Sequence, residues 1–231
     1  MYNIGLTFDM DWAPDFAMKE IIELLVNHRC KSTWFVTHDT KLLSKMRKHP
    51  DLFELGVHPN FMPGSSHGSS FQQVIQTVMK IVPEAKSVRS HALFYCHYLI
   101  DLYLQYGIKY DSSISLNLCP SITPIKVYTK NDSLVRIPFY WADSNEPFGS
   151  KYFLKDSGLK VFVFHPIHIF LNSVNSFAYE SIKKKYNNII QCPEEFANLY
   201  INSKKGVKNT LEDLIQYSTK TIKEIGKEVY V

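Results

Sequence analysis

The apolar run from Ile4 to Phe8 ends in two carboxylates, Asp9 and Asp11, after which Ala13, Pro14 and Asp15 turn the chain. Carboxylates set against a core are costly to bury unless something compensates their charge. A divalent cation does so, with one carboxylate as ligand and its neighbour free to act as a base. The competing reading is that Asp11 or Asp15 caps a helix beginning near Pro14. Capping accounts for one acid and leaves Asp9 without a task. Among the nine histidines, His58 is followed by Pro59, Asn60 and Phe61, and His91 stands two residues after Arg89. His67 lies in a Gly/Ser-rich loop, which positions a ligand less firmly than a strand end does. Asp11, His58 and His91 therefore rank as the metal set, with His67 as the substitute. His165 and His168, separated by Pro166, compete for the role of a general acid, His165 first. Arg89 either holds Asp9 ionised or forms a structural pair. Asp111 either orients a catalytic histidine, as in hydrolytic triads, or starts a turn. His28, His38 and His49 fall in or beside helices and read as surface or helix-terminal residues, and His97, near a helix start, reads as structural. Tyr110, Phe139, Tyr140 and Trp141 could stack on a sugar ring, and their spacing suits a core equally well.

The elements that must position these residues alternate between strand and helix. Strands are expected at 3–9, 31–36, 52–57, 86–89, 108–111 and 159–164, from β-branched and aromatic runs. Helices are expected at 14–28, from the Asp39-Thr40 cap to 49, at 70–82 and at 96–106, with caps, Pro50 and Gly107 as punctuation. The stretch 116–147 is irregular, with an antiparallel hairpin of 125–127 and 134–137 turning at Asn131 and Asp132. From Ser176 onward the chain reads as helical, with Tyr179, Ile182 and Tyr186 on one side and a last helix at 210–225. Strand, polar turn and helix in repetition make a parallel sheet covered by helices. Its strands end in Asp9 and Asp11, His58, Arg89 and His91, and Asp111, at the edge where such folds gather function.

The 231 residues are 45% hydrophobic and 21% charged, the composition of a globular chain long enough to bury a core. No linker, repeat or low-complexity tract divides it, so one domain is expected, with the chemistry in 7–172 and a helical tail at 173–231. A net charge of +4, carried mostly by lysines spread among acids near the end, reads as a solvated face rather than a nucleic-acid groove. The four cysteines form no CxxC pair, which argues against a structural zinc knuckle and a disulfide framework. No stretch resembles a signal peptide or a membrane span, and the cytoplasm is the expected compartment.

Five pieces together carry a resemblance: residues 7–11, 56–61, 88–91, 110–113 and 164–172. In these the chain resembles the polysaccharide deacetylase (NodB-homology, carbohydrate esterase family 4-like) superfamily. Within it, the similarity is to the WbmS-type branch of surface-polysaccharide biosynthesis proteins. The resemblance implies a distorted (β/α) barrel with parallel strands and outer helices, and a divalent metal held by one Asp and two His. Zinc is the first expectation, with cobalt or nickel as alternatives. It further implies Asp9 as base, Asp11 and His58 as ligands, Arg89 tethering the base, and Asp111 with His165 on the acid side. One departure stands out. The second motif of the family supplies two histidines about four residues apart, and position 62 here is Met, so His91 and His67 compete for the third place.

The implied activity is metal-assisted hydrolysis of an N-acyl group on a sugar, nucleotide- or lipid-linked in surface-glycan synthesis, with a bell-shaped pH profile. The alternative is a non-catalytic glycan- or sugar-nucleotide-binding protein on the same scaffold.

Overall fold

In the computed structural model, which describes residues 3–130, 132–144, 148–154 and 158–230, the opening apolar run is a strand buried from its second residue onward. Among the described residues ten strands form one sheet: β1 (Asn3–Asp9), β2 (Ser32–Val36), β3 (Phe53–Val57), β4 (Ser87–Val88), β5 (Tyr110–Asp111), β6 (Ile125–Tyr128), β7 (Ser133–Arg136), β8 (Trp141–Ala142), β9 (Leu159–Phe164) and β10 (Thr219–Lys220). Their order is β6-β7-β5-β4-β3-β2-β1-β9-β8. Within it β6 and β7 are the antiparallel pair and the other neighbours run parallel. β1, β2 and β9 are covered on both faces, which is why they read as near-continuous apolar runs. β10 lies parallel to the start of β1, at Ile4 and Gly5, on the flank that β2 takes over from Thr7 onward.

The helices are α1 (Asp15–Asn27), α2 (Lys41–Met46), α3 (Phe71–Ile81), α4 (Tyr98–Gln105), α5 (Pro166–Phe170), α6 (Phe177–Lys185), α7 (Glu194–Asn198), α8 (Val207–Leu214) and α9 (Ile222–Lys227). Thr40 and Ser70 cap α2 and α3 through their hydroxyls. No helix among the described residues is long and apolar enough to cross a membrane.

The sheet curls into a distorted barrel because the segment after β7 is hydrogen-bonded on both of its edges. On one side the Phe139 N–H donates to Ile114 O at 2.9 Å and the Leu116 N–H to Phe139 O at 2.9 Å. On the other the Tyr140 N–H donates to Val161 O at 2.7 Å, and the Asp143 N–H to Val163 O at 3.1 Å. Inside, Phe8 stacks on Trp34 with ring centroids 4.5 Å apart, and Trp141 packs among Phe153, Phe162 and Phe164. A second apolar cluster, around Ala17, Ile167, Leu171, Ile182 and Ile189, ties α6 and the turn after it to α1 and α5.

Two sequence expectations need correction. The single helix expected at 210–225 is α8, then β10, then α9. The break is set by Thr219, whose hydroxyl donates to Lys31 O at 2.8 Å, and by the Thr221–Glu224 capping box that starts α9. The irregular stretch also contains β8, too short to give a periodic signal. The expected hairpin forms from β6 and β7, while Asn131, at its turn, and Pro147, at the end of the irregular stretch, lie outside the described residues.

Candidate active site

Asp11, His58, His91 and His165 each follow the carboxyl end of a strand. Past β1, the Ala13 N–H donates to Met10 O at 2.7 Å. The two residues inside this turn, Asp11 and Trp12, sit at φ 43° and φ 54°. Positive φ in a residue with a Cβ costs of order 1 kcal/mol. The Trp12 N–H donating to Thr37 Oγ1 at 3.1 Å holds the turn in place. The His58 N–H extends the ladder after β3 by donating to Val36 O at 2.9 Å. The His91 N–H donates to Pro59 O at 2.9 Å.

The result is one carboxylate ringed by imidazoles. Asp11 Oδ1 lies 3.1 Å from His58 Nε2 and 2.9 Å from His91 Nδ1, and Oδ2 lies 3.5 Å from His165 Nε2. The donor atoms of Asp11, His58 and His91 fall within 4.8 Å of one another. An unprotonated ring nitrogen aimed at a carboxylate oxygen is repulsive unless a proton or a metal ion lies between them. His58 Nδ1 is buried with no hydrogen-bond partner among the described residues, so the ring's polar contact is on its Nε2 side, toward Asp11. Asp11 Oδ1 is also spaced from His58 Nε2 and from His91 Nδ1 as ligands roughly 2 Å from a common ion are. The donor set fits a small divalent cation.

Asp9 and Arg89 form a separate, drier pair. Arg89 is fully buried, and its Nη1 donates to Asp9 Oδ1 and to Thr7 Oγ1, both at 2.8 Å. Its Nε and Nη2 are taken by Ser112 O at 2.9 Å and Ser112 Oγ at 2.8 Å. The guanidinium also lies over Phe35, 4.5 Å from the ring centroid. Arg89 thus fixes one oxygen of Asp9 while the residue lines a cavity of about 270 Å³ that it shares with Asp11, His58, His91 and His165. Leu93, Phe139 and Val163 give this cavity apolar walls.

His165 is held by Asp143, whose Oδ1 lies 2.7 Å from Nδ1 and whose Oδ2 accepts the backbone N–H at 2.6 Å. Burial alone would lower the His165 pKa. The charge and hydrogen bond of Asp143 outweigh it, with help from Asp11 and Asp9, and push it up to about 10. Burial alone would raise the Asp11 carboxyl. Hydrogen bonds from His58 and His91, and the charge of His58 and His165, hold it well below the usual carboxylate range instead.

One expected role is placed differently, and the two alternates, His67 and His168, are engaged elsewhere. Asp111 does not touch His165: its Oδ1 accepts the Ser113 N–H at 2.9 Å, and its Oδ2 accepts from Arg136 Nε at 3.1 Å. The carboxylate on the histidine is Asp143. Its sequence signal was a strand end like the others, hidden in a stretch read as irregular. His67 is buried rather than loosely held, and both of its nitrogens face the backbone, Nε2 2.8 Å from Thr37 O and Nδ1 accepting the Asn60 N–H at 3.1 Å. It packs on Trp12 and takes no place beside Asp11. His168 is directed to Ser173 Oγ at 3.1 Å and to the Tyr179 ring, and burial keeps its pKa low. Of the expected aromatics, Tyr110, Tyr140 and Trp141 are core, and Phe139 lines the cavity.

The WbmS-like polysaccharide deacetylase profile matches residues 6–183. A Bordetella bronchiseptica crystal structure, ascribed to a polysaccharide deacetylase involved in O-antigen biosynthesis, is 30% identical. The match covers 92% of this chain and 89% of that one, with a TM-score of 0.79. A Mycobacterium smegmatis structure ascribed to a polysaccharide deacetylase is 15% identical over 71% of this chain and 76% of that one, with a TM-score of 0.51, a likeness of fold. Among curated proteins none matches the sequence significantly. With the family profile spanning most of the chain and the Bordetella relative matching nearly all of it, the protein belongs to the WbmS-like polysaccharide deacetylase family.

Proposed function

We propose that the protein removes an N-acetyl group from a sugar by metal-dependent hydrolysis during the synthesis of a surface polysaccharide. The carrying observation is the convergence of His58, His91 and His165 on the Asp11 carboxylate, with the Arg89-held Asp9 on the same cavity. The role ascribed to the Bordetella relative supports a glycan precursor as substrate.

Asp11, His58 and His91 would hold a divalent cation, zinc in the first instance and otherwise cobalt or nickel, which would supply Lewis-acid polarisation of the acyl carbonyl and lower the pKa of the attacking water. Asp9 takes the proton of the attacking water as its oxygen adds to the carbonyl carbon. Arg89, donating to one of its oxygens, keeps that carboxylate aimed. His165, protonated and oriented by Asp143, gives its Nε2 proton to the amide nitrogen as the carbon–nitrogen bond breaks, so acetate and a free amine leave. The apolar walls given by Leu93, Phe139 and Val163 suit the acyl methyl group. In this reading the sugar is nucleotide- or lipid-linked and the work is done in the cytoplasm, which fractionation of cells would check.

The test is acetate release from a panel of N-acetylated sugars by protein reconstituted with zinc, cobalt or nickel. The proposal expects release that chelation abolishes. A folded, metal-loaded protein that releases no acetate from any of them, yet binds the sugars, would favour a binding role on the same scaffold.

A further inference from the structure

Asp11 and His91 also border a second cavity, of about 330 Å³, outside the catalytic one. That is at the small end of the roughly 300–1,000 Å³ of small-molecule sites. One wall comes from α6 and the turn after it, through Tyr179, Lys183, Asn187 and Asn188, and Trp12 flanks it beside Asp11. This wall is anchored. Ile182 and Ile189 are buried in the second apolar cluster, and Trp12 is wedged between His67 and His91 at centroid distances of 5.4 and 5.3 Å. Lys183 stands one helical turn after Tyr179, with its Nζ 5.4 Å from that ring's centroid, so the ammonium lies along an aromatic face of the same cavity. Lys185, two residues on, turns instead over Phe196 at 4.0 Å.

Among the described residues no carboxylate lies within ion-pair distance of Lys183. A lysine in the last turn complements the carboxyl end of a helix, which explains a basic residue there. It does not explain an ammonium and two amide side chains on one cavity with Asp11 and His91. Amide side chains beside a carboxylate and an imidazole are hydrogen-bonding groups that suit the hydroxyls of a sugar ring, and the ammonium adds a preference for negative charge.

We propose that this outer lobe seats the part of the sugar remote from the scissile amide, and that Lys183 recognises an anionic substituent on it, a carboxylate or a phosphate. The substrate class is then an acidic N-acylated sugar. The inference rests on the deacetylase reading for which end of the sugar faces Asp11.

The experiment compares three forms of one N-acetylhexosamine: its neutral methyl glycoside, its 1-phosphate and its 6-carboxylate. Binding by calorimetry and acetate release are measured for wild type, Lys183→Glu and Lys183→Arg. Wild type is expected to favour one acidic form over the neutral one, and which form it favours separates phosphate from carboxylate. Lys183→Glu is expected to cut that preference roughly tenfold or more, through KM rather than kcat, and Lys183→Arg to restore most of it. A wild type with no preference for either acidic form, or a preference unmoved in Lys183→Glu, overturns the inference. Failure of the deacetylase reading looks different: tight, Lys183-dependent binding of an acidic sugar with no acetate released.

Discussion

Asp143 grips His165 at two points, with Oδ1 2.7 Å from the imidazole Nδ1 and Oδ2 accepting the backbone N–H at 2.6 Å. The first contact leaves Nε2 as the nitrogen that faces the cavity and raises the pKa of the ring. The second locks the residue at the mouth of α5.

Replacing Asp143 by Asn should therefore cost activity and move its pH dependence. Loss of an oriented acid lowers kcat/KM by about 10²-fold or more. Because Asp143 raises the His165 pKa, the alkaline limb of the pH–rate profile should shift to lower pH in Asp143→Asn. An unchanged limb would assign the acid to another group.

The same pair makes a stability prediction for chelated protein. The folded-state pKa of His165, about 10, lies above its unfolded value near 6.5. Its stabilisation is full below about pH 6.5 and is lost as pH rises through the folded value. Urea denaturation should show the gap between wild type and Asp143→Asn narrowing as pH is raised from about 6 to about 10. A gap constant over that range would contradict the ionic character of the pair.

Arg89→Met should destabilise by about 3 kcal/mol or more, because it strands Asp9 in a buried site. In the double variant Asp9→Asn/Arg89→Met, with no carboxylate left unpaired, part of that loss should return. Additive losses in the denaturation cycle would show that the two residues are not coupled. Asp9→Asn alone should bind metal normally while turnover falls by about 10²-fold or more. Normal hydrolysis by that variant would remove Asp9 as the base.

Much of this site could be read from strand ends. Asp9 and Asp11, His58, Arg89 and His91 each terminate an apolar or β-branched run, and the parallel sheet brings those ends to one rim. Asp143 was out of reach because β8 is two residues long. Its place beside β9 is set by hydrogen bonds to Val161 and Val163, partners that no local pattern announces. His67 is held more firmly than its surrounding sequence suggests, for a related reason. A Gly- and Ser-rich loop reads as loose, yet the Thr37 carbonyl and the Asn60 N–H fix the imidazole from positions distant in sequence or hidden in the turn. The break between α8 and α9 was legible in principle, since Thr221 and Glu224 have the spacing of a capping box. Helical periodicity on either side obscured it.

His67→Ala should lower stability by ~1–3 kcal/mol, by leaving the buried Thr37 carbonyl and Asn60 N–H short of a partner. Thermal or urea unfolding measures this directly. No loss of stability would mean that the loop is held by other contacts.

The most direct test is the metal content of His91→Ala set beside that of His67→Ala, by elemental analysis after reconstitution and desalting. About one ion per chain is expected in wild type and in His67→Ala, with a loss of at least about tenfold in affinity in His91→Ala. Stoichiometric metal in His91→Ala, with metal lost from His67→Ala, would contradict this expectation.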